Sequence, residues 1–192
     1  VPIGALLPER TYVFFSHTIK AQPYNMPLLD ALLSKNIRLI DYETITATGQ
    51  RGAKRLVAFG RFAGIAGGID FTRGIGERFL ALGFSTPFLH MGSSYMYPTL
   101  NHAFTGLSEI GALIQEKGLP SALCPFVVAF TGSGNVSKGA QEVFMKFPHK
   151  FVKPEDVRKL RNNNAGPVDT RCIYLTEITS KDMVAKKDGG GF

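Results

Sequence analysis

Two groups of residues have the types and spacing to do chemistry. In TYVFFSHTIKAQ, Thr11 to Gln22, an apolar, aromatic and β-branched run ends in Ser16-His17, with Lys20 three positions further on. Histidine exchanges protons near neutral pH and lysine carries a cation, so the pair suits proton transfer beside an anionic ligand. The second group is TGSGNVSKGA, Thr131 to Ala140, which separates the apolar run Phe126–Phe130 from a helically spaced Ala140–Phe144. A Gly-rich turn between strand and helix is what a dinucleotide pyrophosphate requires. Gly132 and Gly134 permit the tight turn and close backbone approach, and the helix start through Ser133, Asn135 and Val136 presents free N–H groups. Gly139 is placed to let that helix lie close to the sheet.

The glycine pattern departs from G-x-G-x-x-G, because Ser137 stands where the third Gly belongs. It is no P-loop, since Lys138 is followed by Gly139 and the spacing to the earlier glycines is wrong. A Gly-rich turn in an α/β domain without cofactor is the alternative. In dinucleotide folds the second strand ends near the adenosine ribose. Here that strand is read as Lys150–Val152, which puts Lys153 at its end and favours NADP over NAD. A third strand, Arg171–Leu175, is expected beside the first, with Tyr174 and Leu175 near the nicotinamide end.

The elements that must hold these groups alternate as a parallel α/β protein should. Strands are expected at Thr11–Phe15, Ile37–Glu43 and Lys54–Phe59. A helix opens at Pro27, where a missing N–H costs little. The segment Phe59–Gly83 has helical periodicity with glycines at 60, 64 and 68 on one face, a pattern that lets another backbone approach closely. Phe84–Thr99 reads as an aromatic-rich loop. A further helix over 100–117 stops at Gly118-Leu119-Pro120. The expected architecture is two Rossmann-like parallel-sheet domains: 1–119 as an N-terminally truncated substrate domain, and 120–192 as an incomplete dinucleotide-binding domain.

Composition narrows the function. Of 192 residues, 44% are hydrophobic and 19% charged, and the apolar runs fall short of the roughly 20 residues a membrane span needs. The net charge of +7 raises nucleic acid as a partner. The basic residues are scattered, however, and the densest group, Lys146–Arg161, is interrupted by acids, so no nucleic-acid interface and no membrane contact are expected. Cys124 and Cys172 lack metal or redox spacing, so no metal site is expected and the thiols suit a reducing compartment. VPIGALLPER shows no signal-peptide core and no initiator Met, which points to a piece of something longer.

Three stretches carry a family likeness: FFSHTIKAQPYNMPLLDALLSKNIRLIDYE, VAFGRFAGIAG and FTGSGNVSKGAQEVF. In order and without large gaps, from about Thr11 to Leu175, the chain resembles the lysine–2-oxoglutarate reductase part of α-aminoadipic semialdehyde synthase. It is also similar to fungal saccharopine dehydrogenases and, more distantly, to alanine dehydrogenases. The resemblance implies an oxidoreductase of lysine degradation that joins lysine and 2-oxoglutarate as saccharopine with NADP or NAD, or runs the reverse. It implies His17 as acid–base group, and Lys20, Glu43, Arg55 and Phe59 at the substrate site, with Arg55 holding a carboxylate. These types suit the chemistry: a carbinolamine needs a proton exchanger, and a three-carboxylate product needs cations.

The resemblance further implies a second catalytic lysine upstream of Val1 and an acid beyond Phe192, so the segment alone is expected to be weakly active or inactive. It also implies a fused saccharopine dehydrogenase domain, a homo-oligomer as an allowed state, and an intracellular location in mitochondrial matrix or cytosol. An alanine-type amino-acid dehydrogenase and a non-catalytic dinucleotide-binding remnant are the alternatives.

Overall fold

In a computed structural model, residues 1–50, 52–161 and 168–184 are described; Arg51 and the tail KKDGGGF lie outside them. The chain forms two compact units, Val1–Phe59 and Gly60–Phe192. Each is an α/β unit built on a parallel, Rossmann-like sheet.

In the first unit β1 (Thr11–Phe14) pairs in parallel with β2 (Arg38–Asp41), in the register Thr11 to Arg38 through Phe14 to Asp41. The connection carries α1 (Met26–Ser34), with Pro27 in its first turn. Asn36 ends the helix in the left-handed region, φ +48°, and Ile37 N–H returns to Leu32 O at 2.9 Å. A short polar side chain tolerates that conformation, which turns the chain into β2. The expected burial of β1 is only partial, since Val13 and its partner Ile40 are both exposed. The expected strand Lys54–Phe59 is absent: Arg55 makes one isolated antiparallel bridge, to Thr46. Leu56 and Phe59 are more than half exposed, so that run has no core to enter. Its apolar residues serve side-chain contacts instead.

The second unit opens with α2 (Gly60–Ala81) and α3 (Leu100–Lys117). Gly118, φ +74°, stops α3 with its N–H on Ile114 O at 2.9 Å. Then come β3 (Val127–Thr131), α4 (Asn135–Phe144), β4 (His149–Phe151), β5 (Ile173–Ile178) and the single turn α5 (Ser180–Met183). The sheet order is β3-β5-β4, all parallel. The division expected at 119/120 does not coincide with the compact units, because α2 packs on α4. A Cβ on Gly64 would overlap the Val136 carbonyl, one on Gly68 would press on Val143 at 3.1 Å, and one on Gly139 would overlap the Arg61 carbonyl. Gly139 thus brings α4 close to α2 rather than to the sheet. Arg61 locks the pair, donating Nε to Glu142 Oε1 at 2.6 Å.

The aromatic residues of the 84–99 loop also have their explanation here. Phe88 is fully buried, 5.5 Å from Phe126 and 5.7 Å from Phe147 between ring centroids. The loop therefore contributes to the core under the sheet instead of crossing solvent. No helix among the described residues is long and apolar enough to cross a membrane.

Candidate functional site

The site in the first unit is built from the carboxyl ends of β1 and β2, where ligands bind in open parallel sheets. Asp41, the last residue of β2, is buried and acts as a clamp between the two ends. Its Oδ2 accepts the Ser16 hydroxyl, and its Oδ1 accepts the Glu43 N–H at 2.9 Å and the Ser16 N–H at 3.4 Å. Ser16 in turn accepts the Thr18 N–H at 3.1 Å. Between those two anchored residues His17 takes a left-handed conformation, φ +57°, and Asn25 Nδ2 donates to its carbonyl at 3.2 Å. The strain of a non-glycine residue there, of order 1 kcal/mol or more, is offset by these hydrogen bonds.

Glu43 occupies the first turn after β2, with its side chain only 4% exposed. One oxygen faces His17 Nδ1 at 3.2 Å and the other accepts Arg55 Nη1 at 3.1 Å. A carboxylate oxygen accepts, so Nδ1 carries the proton and His17 Nε2 is left as the atom that exchanges one with a ligand. The His17 ring stacks on Phe15 at 6.3 Å, and Phe15 is supported by Tyr42 at 5.1 Å and Phe59 at 6.0 Å. Phe59 therefore supports the histidine from behind. Arg55, whose side chain is 46% exposed, keeps the rest of its guanidinium fork available.

Beside this cluster lies a hollow of about 430 Å³ lined by Ile19, Lys20, Glu43, Thr46, Gln50 and Arg55, among others. Two cations and one buried carboxylate thus share one wall. A small molecule with one or more carboxylates is the ligand such a wall suits, Arg55 by paired donors and Lys20 as a point charge. Of the five residues expected at the substrate site, Lys20, Glu43 and Arg55 line the hollow. His17 is tied to it through Glu43, and Phe59 stands behind.

Asp41 and Ser16 were not anticipated. The signal available was an Asp closing an apolar strand two residues before Glu43, and a Ser directly before the histidine.

In the second unit the strand–turn–helix is as expected. Gly132 has φ +79°, and neither it nor Gly134 would meet any atom within 4 Å on gaining a Cβ. That open cradle leads into α4, whose first residues Asn135 and Val136 are exposed and whose Gly134 cap supplies no side-chain hydrogen bond. With Ser133 also exposed, these residues fit a nucleotide pyrophosphate at a helix start. Ser137, in the place of a third glycine, is buried and accepts Gln141 Nε2 at 3.1 Å.

The other three nucleotide residues are not where the sequence put them. Tyr174 pairs with Val127 and Leu175 with Val128, both in the amino-terminal half of the strands and both buried, Leu175 wholly so. The strand continues to Ile178, so the expected end at Leu175 was three residues early. Lys153 follows β4, which lies at the sheet edge with β5 between it and β3. Lys153 instead sits exposed, 4.0 Å from Glu155. Among the described residues no cluster of His, Cys, Asp or Glu is arranged to hold a metal.

No protein-family model matches the chain. Against curated proteins it is 50% identical over 190 residues to α-aminoadipic semialdehyde synthase of Arabidopsis thaliana, covering 95% of this chain and 18% of that protein. It is 42% identical over 189 residues to the mitochondrial α-aminoadipic semialdehyde synthases of Bos taurus and Mus musculus, covering 98% of this chain and 20% of each. The chain therefore spans about a fifth of the length of the relatives it matches. The likeness carried by the His17, Arg55 and Gly132 stretches holds along nearly the whole sequence: the chain is homologous to a segment of the α-aminoadipic semialdehyde synthases.

Proposed function

We propose that this chain is the lysine–2-oxoglutarate reductase segment of a lysine-degrading oxidoreductase, one that forms saccharopine with a nicotinamide nucleotide. The observation that carries the reading is the His17–Glu43–Arg55 constellation beside Lys20, formed by the residues the family likeness singles out. Homology to proteins named as α-aminoadipic semialdehyde synthases supports the same pathway. The mammalian relatives are named mitochondrial, which supports a mitochondrial location.

The chemistry asks for groups of these kinds. The ε-amine of lysine adds to the keto carbon of 2-oxoglutarate, and His17 Nε2 takes the proton the amine sheds. The same proton returns to the carbinolamine hydroxyl, which leaves as water and gives the imine. Glu43 keeps His17 in the tautomer that exposes Nε2 and stabilises the ring while it is protonated. Arg55 and Lys20 hold carboxylates of the dicarboxylic substrate and orient its keto carbon. The nucleotide, when bound along the Gly132–Val136 turn, supplies the hydride that reduces the imine.

The test is lysine- and 2-oxoglutarate-dependent oxidation of reduced nicotinamide by the full-length protein and its His17→Ala variant. Loss of a general acid–base group should lower kcat by about 10²–10⁴-fold while nucleotide affinity stays unchanged. Unchanged turnover in the variant, or no turnover of this substrate pair by the parent protein, refutes the assignment.

A further inference from the structure

The order β3-β5-β4 changes which residues stand beside the Gly-rich turn. The ladder between β3 and β5 runs through Thr131 opposite Ile178, and Gly132 N–H donates to Ile178 O at 2.7 Å. The residues next to the turn are therefore those that follow β5, Thr179 to Lys181. In open parallel sheets the strand neighbouring that turn meets the adenosine ribose at its carboxyl end, with an acid for a free 2′-hydroxyl or a cation for a 2′-phosphate.

Two carboxylates lie close enough to be considered for the hydroxyl, and both are engaged. Glu177 stands one residue before the strand end, where its Oε2 accepts Gln141 Nε2 at 2.8 Å. Asp182 turns back on Thr179, its Oδ2 accepting both the Thr179 N–H and hydroxyl at 2.7 Å. Ser180 and Lys181 remain exposed, and Lys181 joins no ion pair among the described residues. A hydroxyl and an ammonium are both donors. They match the acceptor oxygens of a phosphate monoester and gain little from a ribose diol.

The geometry points to Ser180 and Lys181, at the carboxyl end of β5, as the site that reads the 2′-phosphate of NADP. This inference rests on the nucleotide reading of the Gly132–Val136 turn. It also moves the phosphate cation away from Lys153, which two strand spacings, about 9.5 Å, separate from β3.

Calorimetric titration of the full-length protein with NADPH and with NADH tests it, alongside Lys181→Ala, Ser180→Ala and Lys153→Ala. The parent protein should prefer NADPH. Lys181→Ala should weaken NADPH about tenfold or more, as expected for one charge-assisted contact, and leave NADH unchanged. Ser180→Ala should weaken NADPH by less, again sparing NADH, and Lys153→Ala should alter neither. Equal affinity of the parent for both nucleotides, equal weakening of both by Lys181→Ala, or a loss carried by Lys153→Ala overturns the inference while leaving the nucleotide site standing. Failure of the parent to bind either nucleotide overturns the nucleotide reading and this inference with it.

Discussion

Replacing Gly64 by Ala should destabilise the second unit, against the usual preference for alanine in a helix. At this position a Cβ would overlap the Val136 carbonyl oxygen and lie 2.8 Å from its carbon and 2.9 Å from the Ala140 nitrogen. All three atoms are backbone of α4, so no side chain can swing aside and the two helices must separate. Overpacking of this kind costs about 1–3 kcal/mol, and a rigid obstacle puts Gly64 near the upper end. Alanine recovers about 1 kcal/mol of helix propensity, leaving a net loss of about 2 kcal/mol. For a domain of this size that is a fall in Tm of roughly 4–8 °C.

Gly67 and Gly74 lie in the same helix, and a Cβ at either would meet nothing within 4 Å, so no packing cost opposes the gain there. Alanine at either should stabilise by up to about 1 kcal/mol, or roughly 2–4 °C. Thermal unfolding followed by far-ultraviolet circular dichroism, with all three variants side by side, checks both signs. A Gly64→Ala protein as stable as the parent, or Gly67→Ala and Gly74→Ala falling as far as Gly64→Ala, would refute the close α2–α4 packing.

Three further outcomes follow from the same contacts. Asp41→Asn weakens the acceptor that joins Ser16 to Glu43, costing about 1.5–3 kcal/mol; kcat should fall with nucleotide affinity retained, and a normal kcat would remove Asp41 from the positioning of His17. Arg55→Ala should raise KM for 2-oxoglutarate roughly ten- to hundredfold and leave KM for lysine nearly unchanged; an equal rise in both contradicts its role. The Glu142 carboxyl is held below its ordinary value of 4.5 chiefly by the Arg61 hydrogen bond. The pair's contribution is therefore complete above that ordinary value and disappears as pH falls through the depressed one. The stability gap between the parent and Glu142→Gln, measured by urea unfolding, should close on acidification from pH 7 to 3; a gap that persists at pH 3 argues against the pair.

Much of the fold was legible because local and tertiary preferences agree. Phe126–Phe130 followed by Gly132 and Gly134 marked β3, its turn and the start of α4, since only glycine comfortably takes the φ of +79° seen at Gly132. Gly118 and Pro120 marked the end of α3 at Lys117, and the i, i+4 glycines of α2 marked a contact face that α4 does occupy. What failed depended on strand order. Lys54–Phe59 has strand-like residues, but β-propensity needs a neighbouring surface to pack on, and Leu56 and Phe59 find none. Chain order placed β4 next to β3, whereas β5 lies between them, and no single residue announces that exchange. Tyr174, Leu175 and Lys153 were misplaced for that reason, together with the three residues by which β5 outruns its expected end. The His17 site was legible as residue types at strand ends; the Asp41 clamp was not, because it depends on the register of β1 on β2.

The most direct test of the substrate site is calorimetric titration of saccharopine into the full-length protein without nucleotide, comparing the parent with Arg55→Ala and Glu43→Gln. The account predicts saccharopine binding in the parent, weakened at least about tenfold by Arg55→Ala and also by Glu43→Gln, with NADPH affinity unchanged in both. Saccharopine binding that is indifferent to both substitutions would contradict the claim that the His17–Glu43–Arg55 cluster is where substrate is held.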